Sequence, residues 1–249
     1  LIRVFVTPEA VAGGHLRLTG MEARHVGGAL RARPGEELVA VTPDGVEHLC
    51  VVTSATPVAV EAKVRDSRPS TAEPRLRLRL MQALLKGDQF DWILESVAEV
   101  GVESVQPLIT ERAIARLDPA RAESKLERWR QILRQGAELG QRGHLPQLLP
   151  PADPASAIQG AVADALQVFL LYEGSRLPSL SEADFDPAAG AAVVVGPEGG
   201  WSEAEVVLAE QAGATTVTLG PRIMRPLPAA LTALAVLLHR AGELGLKED

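Results

Sequence analysis

The 249-residue chain has room for one large domain or two modest ones, and its 46% hydrophobic content with scattered charge describes an ordinary folded globular protein. No apolar run approaches the length of a membrane span, the single cysteine, Cys50, excludes an intramolecular disulfide or a thiolate cluster, and the five histidines lack ligand spacing, so neither a membrane anchor nor a metal site is expected. The net charge of −7 excludes a uniformly basic nucleic-acid binder; residues 1–70 are balanced, whereas 146–249 carry five basic against thirteen acidic groups, so any nucleic acid must meet local basic patches within the first 145 residues.

The first six residues are too short and too charged for a signal peptide and read as a strand. Short β runs at 4–6, 37–41, 48–53 and 58–64 are separated by Gly13-Gly14, Pro34-Gly35, Pro43-Asp44-Gly45 and Thr56-Pro57, a spacing that predicts a small β barrel. One helix is expected over 20–32. Cys50 lies in a strand pattern and reads as a small core residue, which fits a reducing, cytoplasmic location. The polar, proline-bearing stretch 66–74 reads as a linker, dividing the chain into domains at 1–70 and 75–249.

Beyond the linker, strands alternate with helices, the pattern of a parallel sheet covered by helices. Strands are expected at 76–84, 102–108, 166–172, 191–195 and 215–219, and helices at 88–100, 120–139, 202–212 and 228–241. Ser202 with Glu205 forms a capping box, and Gly213 and Gly242 stand where helices end. Arg75, Arg77 and Arg79 alternate with leucines, which suggests one face of an exposed edge strand.

Two segments stand out. Gly196-Pro197-Glu198-Gly199-Gly200 follows the apolar run 191–195, and Leu219-Gly220-Pro221-Arg222-Ile223-Met224-Arg225 ends the next strand. Bent, glycine-containing loops at the carboxyl ends of neighbouring strands are where open α/β sheets hold ligands. Neither is a GxGxxG run or a triphosphate loop, and Glu198 would repel phosphates, so a ligand that is neutral or positive at the contact point fits better. Glu198 reads first as a brace accepting backbone N–H bonds and second as a group bearing on the reaction. Trp201 and Ser202 read as a packing residue and a helix cap. Arg225 reads as a phosphate or carbonyl-oxygen contact, and Arg222 equally as a structural ion pair.

These residues resemble the RsmE family of SPOUT-class RNA methyltransferases. GPEGG followed by Trp201-Ser202 and Glu205, then a strand ending LGxRIxR and a small-residue helix, is similar to that family's cofactor half. Upstream, Lys86-Gly87-Asp88, Glu99-Val100-Gly101-Val102, Pro107, Thr110-Glu111-Arg112, and Glu138 with Arg142 and Pro146 resemble its K-G, E-x-G-V, P, x-E-R and E-Q-x-x-R-x-x-x-P segments, with Leu139 in place of the usual Gln. Arg3-Val4-Phe5-Val6, His25-Val26, Leu30-Arg31 and Pro34-Gly35-Glu36 resemble its leading β domain. The match spans nearly the whole chain.

The resemblance implies an α/β chain with a C-terminal SPOUT-type knotted parallel-sheet domain, preceded by a small PUA-like β barrel. It also implies a homodimer that methylates N3 of a uridine in small-subunit (16S) ribosomal RNA with S-adenosylmethionine. The cofactor residues expected on this basis are Leu171, Tyr172 and Glu173; Gly196, Pro197, Glu198 and Gly199; and Leu219, Gly220, Ile223, Met224 and Leu227. Arg225 and Glu198 are the expected catalytic pair. Arg3, Arg24, His25, Arg31 and Arg33 in the β domain, with Lys86, Arg112 and Arg142 beyond it, are the expected RNA contacts. The apolar final helix offers a surface for the second subunit.

The sequence departs from the family after Arg225. Pro226-Leu227-Pro228 stands where Thr-Glu-Thr is usual, removing two N–H donors and the polar Thr and Glu side chains. No glutamate is present there to take a proton. Glu198, a partner-subunit group or water are the candidates for the base. Two other readings stand beside the first: methylation of a different RNA position, such as a tRNA ribose, and an RNA-binding or ribosome-assembly protein without turnover.

Overall fold

The computed structural model describes residues 1–173 and 177–245. They form two units, one of Leu1–Glu73 with Ala137–Leu145, the other of Pro74–Gly136 with Pro146 onward.

The first unit is built on β1 (Ile2–Phe5), β2 (Val11–Ala12), β3 (His15–Thr19), β4 (Glu37–Val41), β5 (Val46–Ala55) and β6 (Ala59–Pro69), with a short helix α1 (Gly20–Ala23) between β3 and β4. The strands make one sheet in the order β1-β4-β5-β6-β3-β2. β1 runs parallel to β4 and the other pairs are antiparallel. The outer strands β1 and β2 do not pair with each other. Alternation in β3 buries Leu16 and Leu18 and exposes His15, Arg17 and Thr19. Bulges at Leu49/Cys50 and Val52/Ser54 bend the long β5–β6 ribbon. Cys50 is fully buried beside Val4, Leu38 and Val60, and burial pushes its thiol pKa up to about 11.

Three expectations change here. The first four residues of the expected linker, 66–69, are strand, because β6 continues to Pro69 paired with Val46 of β5. The helix expected over 20–32 is only four residues of α1 followed by a wider π-type turn, Arg24–Ala29; two adjacent glycines weaken a regular helix there, and Arg31 reverses the chain at φ 55°. The loop 140–145 belongs to the first unit despite its position in sequence. Arg142, only 3% exposed, holds it: its Nε and Nη2 donate to Glu73 at 2.9 and 2.7 Å, and its carbonyl accepts from Arg3 at 2.9 Å.

The second unit contains β7 (Leu78–Ala83), α2 (Gln89–Val100), β8 (Ser104–Leu108), most of α3 (Ala122–Leu139), β9 (Gln147–Leu148), α4 (Pro154–Ala163), β10 (Gln167–Leu171), β11 (Ala191–Val195), α5 (Glu203–Gln211), β12 (Ala214–Val217) and α6 (Pro226–Arg240). Its six strands are all parallel, in the order β12-β10-β11-β7-β8-β9. β11 is buried on both faces, which explains its unbroken apolar run. Ala191, Val193 and Val195 join a core with α2, α3 and α6, while Ala192 and Val194 join one with α4 and α5. Asp153, accepting from Ser156 N–H at 2.9 Å, starts α4.

β7 lies at the centre of the sheet, between β11 and β8, so its arginines do not line an edge. They sit toward the start of the strand and are ion-paired, Arg79 with Asp164 at 2.6 Å and Arg77 with Glu103 at 3.5 Å. The last helix begins two residues earlier than expected. Arg225 is its N-cap, Pro226 occupies the first helical position and Pro228 the third. Helix first turns leave N–H groups without intrahelical partners, so neither proline breaks a helical bond.

Candidate active site

The chain leaves β7 toward β8 and β9, then returns on the other side of β7 to build β10, β11 and β12. At such a reversal the loops leaving the strand ends diverge and open a crevice. A cleft of about 810 Å3 lies on the β10–β12 side of that reversal, lined by Leu171 to Glu173 at the end of β10, by Gly196, Pro197, Glu198, Gly200 and Trp201 after β11, and by Thr218 to Pro226 after β12. Gln89 and Ala229 complete it from α2 and α6.

Trp201 holds the first two loops together. It is buried, and its Nε1–H donates to the Leu171 carbonyl at 3.1 Å. Its indole lies so close under Gly196 that a β-carbon there would be 2.9 Å from Nε1 and 3.0 Å from Cε2. Glycine at 196 is therefore a packing requirement. Around the rim, Glu198 Oε1 accepts from the Lys86 backbone N–H at 3.1 Å, and Arg112 Nη1 donates to the Trp201 carbonyl at 3.1 Å. Both side chains brace loops. In the third loop, Thr218 Oγ1 closes a tight turn on Gly220, whose φ is 98°.

Glu173, Glu198, Arg222 and Arg225 all line the cleft, and no histidine does. Two carboxylates, two guanidiniums and many backbone groups suit a ligand bearing both signs of charge better than a polyphosphate. Of the residues expected to bind a cofactor, Leu171, Tyr172, Glu173, Gly196, Pro197, Glu198, Leu219, Gly220, Ile223 and Met224 line this cleft together. Gly199 and Leu227 do not. A β-carbon on Gly199 would face Arg112, 3.2 Å from its carbonyl oxygen, and Leu227 packs on the core beneath α6. Sequence reasoning missed Gln89, Thr218 and the part played by Trp201, although the adjacency of Trp201 to GPEGG was visible.

The basic residues separate into two groups. Arg24, Arg31 and Arg33 of the first unit and Lys86 and Arg112 of the second are exposed, and His25 is half-buried, 4.0 Å from Glu138. The side chains of Arg3 and Arg142, expected as RNA contacts, are instead held in ion pairs within the first unit, Arg3 with Glu47 at 2.7 Å and Arg142 with Glu73 at 2.7 Å. Burial raises the Glu73 carboxyl, but the hydrogen bonds and charge of Arg142, with the Gly143 and His144 N–H groups, pull its pKa below the ordinary value. Glu47 is lowered likewise by Arg3 against its burial. Among the described residues there is no group of three metal-ligating side chains, and no helix is long and apolar enough to cross a membrane.

A family model described as RNA methyltransferase domain matches residues 72–238. The ribosomal RNA small subunit methyltransferase E of Mycobacterium bovis is 32% identical over 227 residues, covering 88% of this chain and 84% of the relative. Its counterpart from Bacillus subtilis is 27% identical over 228 residues, covering 90% and 89%. The crystal structure of the Neisseria gonorrhoeae ribosomal RNA small subunit methyltransferase E, bound to S-adenosyl methionine, superposes with a TM-score of 0.87 at 31% identity, covering 96% of this chain and 98% of that one. A Legionella pneumophila protein solved with bound S-adenosylmethionine gives the same TM-score at 29% identity, covering 96% and 97%.

Proposed function

The chain belongs to the ribosomal RNA small subunit methyltransferase E (RsmE) family, and from that premise we propose that it methylates small-subunit ribosomal RNA at N3 of a uridine, using S-adenosylmethionine held in the cleft. The observation that carries this reading is the convergence of the GPEGG and LGPRIMR loops on one cleft at the parallel strand ends. The fit to the cofactor is chemical: a glycine-lined wall, backbone acceptors, and Glu173 and Glu198 for positive charge, with Arg222 for a carboxylate. When bound, S-adenosylmethionine supplies a methyl group activated by its sulfonium.

The chain's own residues position the reactants and manage charge. Arg225, exposed at the lining and N-capping α6, is placed to stabilise negative charge on a uracil oxygen, which makes the N3 proton easier to remove. Glu198 already accepts the Lys86 N–H through one oxygen and keeps its second for a proton or a cationic ligand group. The proline substitution leaves this arrangement intact, because Pro226 and Pro228 fall in the first turn of α6.

Four finer features belong to the same proposal. The segment from β12 through α6 forms the trefoil knot of SPOUT enzymes; the likeness to the Neisseria enzyme over 96% of the chain supports it. The first unit is the PUA-like RNA-docking module, through exposed Arg24, Arg31 and Arg33. The enzyme is a cytoplasmic homodimer: α6 buries most of its apolar surface within its own chain, but Trp92, 60% exposed, and Ile223, 83% exposed, remain for a partner. Lys86 and Arg112 are RNA contacts of the second unit.

Calorimetry with S-adenosylmethionine tests the reading: micromolar or tighter binding at one site per chain is expected, and no binding refutes it. Reversing the charge of Arg24 and Arg31 together should weaken RNA binding and flatten its salt dependence while leaving cofactor affinity unchanged.

A further inference from the structure

Gln82 is the polar exception in the row Leu78, Leu80, Gln82, Leu84, whose members are all at most 2% exposed. It lies near the carboxyl end of β7, in register with Val195 of β11 and Pro107 of β8. Its Nε2 contacts three carbonyls, those of Ala83 at 3.1 Å, Gly196 at 3.4 Å and Val195 at 3.5 Å. Two protons are thus shared among three acceptors, and Oε1 has no hydrogen-bond partner. A buried amide oxygen left unpaired is unfavourable, and long shared bonds do not offset it. An apolar side chain of equal length would suit this core better. Yet two of the carbonyls touched belong to Val195 and Gly196, which line the cleft.

We propose that Gln82 is a positioning residue for the cleft: from beneath, its amide sets the direction of the Val195 and Gly196 carbonyls that the ligand meets. The Trp201 indole bounds Gly196 on its β-carbon side, so the amide and the ring together fix where the GPEGG loop starts. The amide costs the fold stability and serves ligand binding. The assignment rests on the cleft being the S-adenosylmethionine site.

The test compares wild type, Gln82→Met and Gln82→Glu by thermal unfolding and by S-adenosylmethionine calorimetry. Gln82→Met keeps the volume and removes the amide. It should unfold at or above the wild-type temperature, yet bind S-adenosylmethionine on the order of tenfold more weakly, with KM for the cofactor raised and kcat at saturation retained. Gln82→Glu can donate one hydrogen bond to a carbonyl when protonated and repels both when ionised. Its affinity relative to wild type should therefore recover as the pH is lowered. Unchanged cofactor affinity in a folded Gln82→Met variant overturns the proposal. So does a lowered unfolding temperature for that variant, which would make the amide a structural group. If wild type itself binds no S-adenosylmethionine, the assignment of the cleft is what fails.

Discussion

Replacing Gly196 by alanine would put a methyl carbon 2.9 Å from Nε1, 3.0 Å from Cε2 and 3.3 Å from Cδ1 of Trp201. The indole is 5% exposed and rigid, so it cannot swing aside as the end of a flexible chain would. Overpacking of this kind costs about 1–3 kcal/mol. Moving the ring also stretches the 3.1 Å bond from Nε1–H to the Leu171 carbonyl, and leaving that buried acceptor unpaired costs a further ~1–3 kcal/mol. A total of about 3 kcal/mol in a unit of this size corresponds to a fall in unfolding midpoint of roughly 6–12 °C. Calorimetric unfolding of Gly196→Ala reads this directly. In a double-mutant cycle, Trp201→Phe, which removes the indole N–H, should relieve the hydrogen-bond part of the loss. A Gly196→Ala protein within about 0.5 kcal/mol of wild type, with additive behaviour in the cycle, would refute the packing argument.

Arg142→Ala should destabilise the first unit by about 3–5 kcal/mol, because it strands the Glu73 carboxylate; denaturant titration measures it. Acid should act through the same groups. Glu73 and Glu47 have folded pKa values below the ordinary 4.5, so between the folded and unfolded values the unfolded chain binds more protons. Their contribution is fully present above about pH 4.5 and is lost as pH falls through the folded values, a slope that Arg142→Ala should flatten in an acid titration of stability. Cys50, its thiol raised to about 11 and fully buried, should resist alkylation at pH 8 in the native protein and react only on unfolding.

The second unit was largely legible because its signals are local and strong. β11 shows as five apolar residues, and α5 shows by its Ser202–Glu205 box, which the structure contains. The cleft followed from two bent loops after such strands. What stayed hidden was long-range. Nothing local says that β7 is central rather than an edge, since its arginines find partners in Asp164 and Glu103 far along the chain. Nothing marks Arg142 as a clamp on Glu73 rather than a surface cation, or Gln82 as a group beneath the cleft. Strand β3 was missed although its alternation is clean, because a five-residue run with two apolar positions is weak beside its glycine-rich neighbours.

Methyl transfer itself is the most direct test. The purified protein would be incubated with S-adenosylmethionine carrying a labelled methyl group and with small ribosomal subunits lacking the modification, and the nucleosides would then be resolved by mass spectrometry. The account predicts labelled 3-methyluridine from small-subunit RNA, lost in the Arg225→Ala variant while cofactor binding persists. Label on a ribose or on another base, or no transfer by a protein that binds S-adenosylmethionine, would contradict it.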